Sequence, residues 1–551
     1  LKETAFFIYV SSCNSSISSK HVSSIPCKVS FGGLPYSFVF FLSHYCSAIF
    51  FLPLPIQYHG ALGPSGVRWR IVYHLFSGEN RITQPFCVMP ISRRSLLKSV
   101  GLASGAVLFA DFPTDVLAAA RPILEEEYPF SPYQPKKTIT AITLGAGSRG
   151  NVYGGYALQF PNALDIVGVA EPNPIRNERY TKKHQIEEKH RFNTWEDVFK
   201  VPKFADAVII TTPDRLHYGP CMAALKAGYD VLLEKPISPS QKECEDILAL
   251  SKKTGRIVAV CHVLRYAPYF VKLRKVIQSG AIGELVSIQH LEPIGHVHMS
   301  HSYVRGNWHN RHETTPIILA KSCHDLDILR WMIGKPCKKV VAMGGIKWFK
   351  KENAPAGSTA RCTDSCAVEG TCPYSALKIY HKNRSWIHVF DLPEEKEKHG
   401  EAIMEYLKTT NYGRCVYRMD NNQEDHYICN MEFEGGVTAN FSMEAFTSYE
   451  GRRTRVMGSM GDIVGDMNTF TVTDFRTGQS EVFDHSKIED VENYKNSGHG
   501  GGDWLLVNDW IAAISERNPA LLTSTIDASI ESHIIGFKAE RSRASGKVER
   551  L

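Results

Sequence analysis

Short apolar runs recur along the middle of the chain, separated by stretches in which apolar residues return every three or four positions. Thr138–Leu144, Leu164–Ala170, Ala207–Thr211, Tyr229–Leu233 and Ile257–Cys261 are such runs, five to seven residues long. Between them, Tyr218–Ala227 and Pro239–Lys253 carry the helical period. Strand alternating with helix predicts α/β architecture around a parallel, doubly wound sheet. Further strand-like stretches follow at Leu285–His290, Val340–Gly344, Tyr427–Phe433 and Val437–Met443, and a helix is expected from Trp504 to Ile514.

The first 120 residues read differently. No amphipathic period persists in residues 1–88, which are rich in Ser and Phe, and the first methionine is Met89. The uncharged Tyr36–Ile56 stretch imitates a membrane span but is broken by His44, Pro53 and Pro55. Residues 1–88 read as translation upstream of a misplaced start. From Met89, paired Arg93-Arg94, an apolar run from Val100 to Phe112 and Ala118-Ala119-Ala120 describe a cleaved export signal of the twin-arginine type. Residues 89–120 are therefore expected to be a signal peptide for the periplasm, and 121–137 a linker.

The 551 residues carry a formal charge of +6, but the excess lies early. Residues 1–120 hold nine of the 63 Lys/Arg and four of the 57 Asp/Glu, which leaves 54 against 53 beyond them. That balance excludes a nucleic-acid footprint. Nothing beyond residue 120 predicts stable membrane insertion.

The first strand run ends in Gly145-Ala146-Gly147-Ser148-Arg149-Gly150 and a helical pattern follows. A G-x-G-x-x-G between strand and helix is the dinucleotide fingerprint. Gly145 permits the tight turn, Gly147 lets the backbone approach a pyrophosphate, and Gly150 lets helix and strand pack closely. Glu171, at the tip of the second strand run, can accept both ribose hydroxyls and favours NAD over NADP; Arg176, five residues on, could instead grip a 2′-phosphate. Thr212-Pro213, His217 and Glu234-Lys235-Pro236 fall at the carboxyl ends of later strands, where a nicotinamide lies.

Together these motifs resemble the Gfo/Idh/MocA oxidoreductases. The resemblance continues through Arg265-Tyr266, Gly280–Gly283, His324 with Asp327, and Gly458–Gly461. It implies a nucleotide-binding domain over 138–262. Residues 263–551 would then form a second α/β domain with an open, mostly antiparallel sheet, which binds a carbohydrate and offers its exposed face to a homo-oligomer. Oxidising a sugar alcohol requires a group that takes the hydroxyl proton. The resemblance assigns contact with that hydroxyl to Lys235 and acid/base work to His324. One departure stands out. The family's pattern has an aspartate four residues before the histidine, and here Ala320 holds that place, followed by Lys321. The loss shifts weight toward a particular sugar-binding arrangement, or toward a non-catalytic sensor.

Residues 295–308 are dense in hydrogen-bonding and aromatic side chains, which suits sugar recognition; His298, Tyr303, Arg305, Asn307 and Trp308 are the candidates there, beside Arg265 and Lys321. His296 and His298, two apart, would share a strand face. Gly498-His499-Gly500-Gly501-Gly502-Asp503 is similar to a segment of glycoside hydrolase family 109, whose members use bound NAD in a redox-neutral cleavage. It adds His499 and makes such a glycosidase the alternative to a net oxidoreductase. Finally, Cys362, Cys366 and Cys372 cluster in a loop rich in Pro and Gly. They suit zinc if Cys337, Cys415 or a histidine completes the set, or equally a disulfide in an oxidising compartment.

Overall fold

The apolar runs become the strands they predict. β1 (Ile139–Leu144), β2 (Leu164–Ala170), β4 (Ala207–Ile210), β5 (Asp230–Leu233) and β6 (Val258–Val260) join a two-residue β3 (Arg191–Phe192) in one six-stranded sheet. Its order is β3-β2-β1-β4-β5-β6 and every pairing is parallel. All residues of β4 and β5 are buried, as continuous apolar runs require of strands covered on both faces. Helices α2 (Ser148–Gln159), α3 (Pro174–His184), α4 (Tyr218–Lys226) and α5 (Gln241–Thr254) cover it. The start of α3 is fixed by Asn173, whose side chain accepts from the N–H groups of Ile175 and Arg176 ahead of a first-turn proline.

This computed structural model describes residues 116–126, 131–487 and 497–551, and the backbone of three short N-terminal strands, Cys27–Phe31, Leu34–Ser37 and Val72–Tyr73. Those three form a sheet of their own within a separate unit, residues 1–111. The paired arginines and apolar run of the expected export signal lie outside the described residues, as does nearly all of the span-like Tyr36–Ile56 stretch. Its three alanines are described. They fall inside helix α1 (Val116–Glu125), where Leu117 and Ala120 are buried against the second domain. Residues 121–125, expected as linker, are therefore the end of a packed helix.

The second sheet has nine strands: β7 (Leu285–Pro293), β8 (Cys337–Gly345), β9 (His426–Phe433), β10 (Thr438–Glu444), β11 (Arg453–Gly458), β12 (Gly461–Gly465), β13 (Thr469–Asp474), β14 (Ser480–Asp484) and β15 (Glu549–Arg550). Their order is β14-β13-β12-β11-β7-β10-β9-β8-β15, antiparallel except for β7 with β10. In β9 the residues Tyr427, Cys429, Met431 and Phe433 are buried while Ile428 and Asn430 are exposed, so one face of the sheet holds the core and the other is open. Helix α6 (Pro268–Gln278) packs in this domain's core, and helices α7 (Cys323–Ile333) and α10 (Ile526–Ser545) pack on the covered face.

Two features depart from the expected boundaries. Helix α9 (Gly502–Ser515) returns to the first sheet, and its Leu506, Val507, Trp510 and Ile511 belong to that sheet's core. Residues 346–425, between β8 and β9, form an insert with its own apolar cluster around Ile379, Tyr380, Phe390 and Leu407 and one α-helix, α8 (His399–Thr409).

Burial of α9 leaves one carboxyl at a disadvantage. Desolvation pushes Asp509 from its ordinary 3.8 up to about 6. Because the folded value lies above the unfolded one, the proton it retains stabilises the fold at low pH. That contribution is lost as pH rises through about 6. Asp509→Asn should therefore raise stability at neutral pH by about 3 kcal/mol and leave it nearly unchanged below the unfolded value. Denaturant midpoints measured on both sides of that interval check the sign.

Candidate functional site

The site begins at the turn between β1 and α2. Gly145 has φ +95°, and a Cβ there would lie 2.7 Å from the carbonyl oxygen of Thr211. At Gly150 a Cβ would lie 2.2 Å from the Gly145 oxygen, whereas at Gly147 it meets nothing within 4 Å. Backbone is thus packed tightly beneath the loop and open above it. The first turn of α2, starting at Ser148, carries no acidic residue. An open glycine edge at a helix N-terminus is a cradle for a pyrophosphate. Gly145, Gly147, Ser148 and Gly150 therefore fit the dinucleotide that the sequence implies.

Glu171 directly follows β2 and is buried. One oxygen accepts from Ala146 N (2.8 Å) and the other from Asn173 N (2.9 Å). It braces the glycine loop, and each oxygen keeps a lone pair for a ribose hydroxyl. His217 ties the next two strand ends together, with Nε2 2.8 Å from Thr212 O and Nδ1 2.7 Å from Pro236 O. It braces the two loops. Thr212 uses its hydroxyl on Leu216 O, and Pro213 leads into the turn above it.

Arg149 and Glu234 turn to each other. Arg149 donates to Glu234 Oε1 (2.5 Å), to Asp503 Oδ1 (2.7 Å) and to the Tyr153 hydroxyl. Glu234 also accepts from Tyr153 OH (2.8 Å) and from Lys235 N (2.7 Å). Their side chains are spent on a network that joins α2, the end of β5 and α9. Burial raises the Asp503 carboxyl, but His499 and Arg149 outweigh it and hold the group down at about 2.

Lys235 crosses from the end of β5 to the second domain, where its Nζ donates to Ala320 O (2.9 Å). The backbone carbonyl thus takes the lysine from the very position where the family's acid is missing. His324 lies four residues on, in the first turn of α7, and its ring stands 5.6 Å from that of His499. His499 is oriented by Asp503 at 3.1 Å. His324 Nδ1 is buried with no hydrogen-bond partner among the described residues. Burial, then the charges of Lys235 and His499, hold its pKa well below the usual imidazole range.

The His298 and Tyr303 rings lie 6.1 Å apart, and the charges of Lys321 and Lys235 act on the imidazole. Burial and the neighbouring Lys321 depress the His298 imidazole, and burial with Asp214 nearby raises the Tyr303 phenol. They lie on a helical turn followed by a π-helical turn (Met299–Arg305), not on a strand, so His296 and His298 do not share a strand face. Lys321 pairs with Glu292 at 3.1 Å, and Arg452 links Glu292 to Asp325. Glu292, Arg452 and Asp325 went unpredicted. The available signal was Glu292, an acid in phase with the buried Ile288 and His290 of β7.

Four expected sugar contacts lie elsewhere. Arg265, 3% exposed, grips Asp327 through two bonds of 2.6 Å and also donates to Thr523 O and Ala528 O. Arg305 is buried in the insert's interface, donating to Arg414 O (2.8 Å) and Tyr374 O (2.7 Å). Trp308 donates its indole N–H to Asp214 (3.1 Å) and so fastens the two domains. Asn307 is exposed. In each arginine the guanidinium had an acceptor that sequence distance conceals.

Cys362, Cys366, Cys372 and Cys415 line one cavity of about 20 Å³, while Cys337 is buried separately in β8. All are free thiols, and Cys362 Sγ accepts from Ala376 N (3.4 Å) and Arg305 Nη2 (3.7 Å). Among the described residues no three His, Cys, Asp or Glu side chains are gathered to hold a metal ion, so the expected zinc site is not formed. Nor is any helix among them long and apolar enough to cross a membrane.

Comparison with known proteins agrees with this geometry. Residues 139–262 match the model of an oxidoreductase family's NAD-binding Rossmann fold, and residues 274–548 match that family's C-terminal alpha/beta domain. YteT of Bacillus subtilis, named as an oxidoreductase, is 25% identical over 366 residues, 64% of this chain and 83% of its own length. The inositol 2-dehydrogenase of Salmonella typhimurium is 26% identical over 204 residues, 37% of this chain and 57% of that enzyme. Among solved structures, an inositol dehydrogenase homolog from Azotobacter vinelandii complexed with NADH and myo-inositol superposes with a TM-score of 0.54. It shares 16% identity, and the match covers 76% of this chain and 99% of that one. At that identity the likeness concerns the fold.

Proposed function

Because this chain belongs to the Gfo/Idh/MocA oxidoreductase family and its first domain binds NAD, we propose that it oxidises a secondary alcohol of a cyclic polyol or sugar. The nicotinamide, when bound, accepts the hydride from the carbinol carbon. The observation that carries the reading is that Lys235 reaches from the nucleotide domain to Ala320 O, four residues before the buried His324, whose imidazole feels the lysine's charge.

The residues divide the work by their environments. Only a neutral imidazole can accept a proton, and burial beside Lys235 keeps His324 in that form. Its Nδ1, unpartnered among the described residues, is the atom assigned to take the hydroxyl proton as the cofactor's positive charge is discharged. Lys235 spends one donor on Ala320 O and offers others to the oxygen as negative charge develops on it. His298, Tyr303 and Lys321 are the groups assigned to orient a polyhydroxylated ring. A carbohydrate is the substrate class proposed, and the open face of the second sheet, with Met343, Val464 and Val482 exposed, is proposed as an oligomer surface. Export through Arg93-Arg94 would suit an enzyme that keeps its cofactor captive.

A redox-neutral glycosidase remains the second reading, favoured by the placement of His499 against His324, which gives the cleft two imidazoles. Incubation with NAD and a panel of inositols and pyranoses, followed by NADH absorbance, tests the first. Net NADH formation that requires the free alcohol supports it. Cleavage of aryl glycosides without net NADH would replace it with the second.

A further inference from the structure

In the insert, Phe390 and Leu392 are buried in the local apolar cluster, and the residue between them reaches the nucleotide domain. Asp391 Oδ1 accepts from Arg176 Nε (2.9 Å), and its Oδ2 accepts from Asn173 Nδ2 (3.0 Å). Its own N–H donates to Tyr406 OH (3.2 Å), which fixes its direction from within the insert. Beside it, Leu392 O accepts from Arg179 Nη2 (2.7 Å). Two consecutive residues of the insert thus hold the cap and first turns of α3.

That place has a defined meaning in a doubly wound sheet. The carboxyl end of the second strand meets the adenosine ribose, where an acid takes the 2′-hydroxyl and an arginine takes a 2′-phosphate. Arg176 is positioned for the second task, yet its guanidinium is engaged by Asp391. A 2′-phosphate would have to displace Asp391 and then stand near Glu171, so that a dianion would face two carboxylates. A 2′-hydroxyl meets neither obstacle.

We infer that Asp391 is a selectivity residue for the dinucleotide: by occupying Arg176 it makes the site reject NADP and accept NAD. The insert therefore contributes to the cofactor site of the other domain, and its side chain acts without touching the reacting atoms. The inference rests on the dinucleotide reading above and is independent of which alcohol is oxidised.

Binding of NAD and of NADP, each measured by calorimetric titration of the full chain, tests it. The proteins are the unaltered chain, Asp391→Asn, Asp391→Ala, and Asp391→Ala combined with Arg176→Ala. The unaltered chain should prefer NAD. Asp391→Ala should tighten NADP binding by about tenfold, the effect of one charge-assisted contact regained, with NAD binding little changed. Loss of Arg176 should erase that gain. Asp391→Asn keeps an acceptor for Asn173 and should shift preference in the same direction by less. Unchanged NADP affinity in both single variants, with NAD binding intact, would overturn the inference, as would a gain that survives without Arg176. If the unaltered chain binds neither dinucleotide, the cofactor reading falls and this one falls with it.

Discussion

Lys235→Met should lower kcat by roughly 10³-fold, within the range expected when a group acting on a transferring proton or its oxygen is removed, while dinucleotide binding persists. The lysine bridges the domains at one point, Nζ to Ala320 O. The dinucleotide cradle is built from Gly145, Gly147 and Gly150 and is braced by Glu171, none of which the substitution alters. Pre-steady-state kinetics with a saturating alcohol separates the two effects, since the loss should fall on kcat and leave the dinucleotide Kd near its original value. A variant that turns over normally would remove Lys235 from the chemistry. A variant that no longer binds dinucleotide would make it a cofactor ligand instead.

The largest expected effect on stability is at Asp327→Ala. Arg265 is buried and both of its bonds to Asp327 measure 2.6 Å, with Ser532 Oγ donating to the same carboxylate at 3.1 Å. Removing the acid leaves a buried guanidinium without its counter-charge, at a cost of about 3–5 kcal/mol. Its remaining acceptors, Thr523 O and Ala528 O, are neutral. The urea midpoint should fall sharply. Replacing both residues together, Arg265→Met with Asp327→Leu, should recover much of the loss, because a matched apolar pair leaves no orphaned charge. A single variant that melts like the parent would show that the pair carries little of the domain packing.

The two cases illustrate which parts of the protein are legible from sequence. Strands such as Ala207–Ile210 and Asp230–Leu233 are buried on both faces and read as apolar runs, and the glycine spacing at 145–150 marks a local turn. Both signals are contained in a few consecutive residues. Arg149, Arg265 and Arg305 each announce a need for an acceptor without saying where it is. The acceptors are Asp503, Asp327 and two backbone carbonyls, separated from them by tens to hundreds of residues.

The return of α9 to the first sheet is equally non-local, since Trp510 and Ile511 would suit any core. The insert gave little signal because its order rests on turns and a small cluster rather than on a long period. Lys235 and His324 are assigned through a resemblance rather than through spacing. What sequence could not supply was the role of Ala320, whose backbone oxygen answers the lysine in place of a carboxylate.

The most direct test of the whole account is to denature protein purified without added cofactor, identify any dinucleotide released, and titrate the emptied, refolded chain with NAD. The account predicts NAD or NADH in the released fraction, or saturable NAD binding that the loss of the open edge at Gly147 abolishes. No release together with no NAD binding would contradict it at its base, because every role assigned to Lys235 and His324 depends on a nicotinamide beside them.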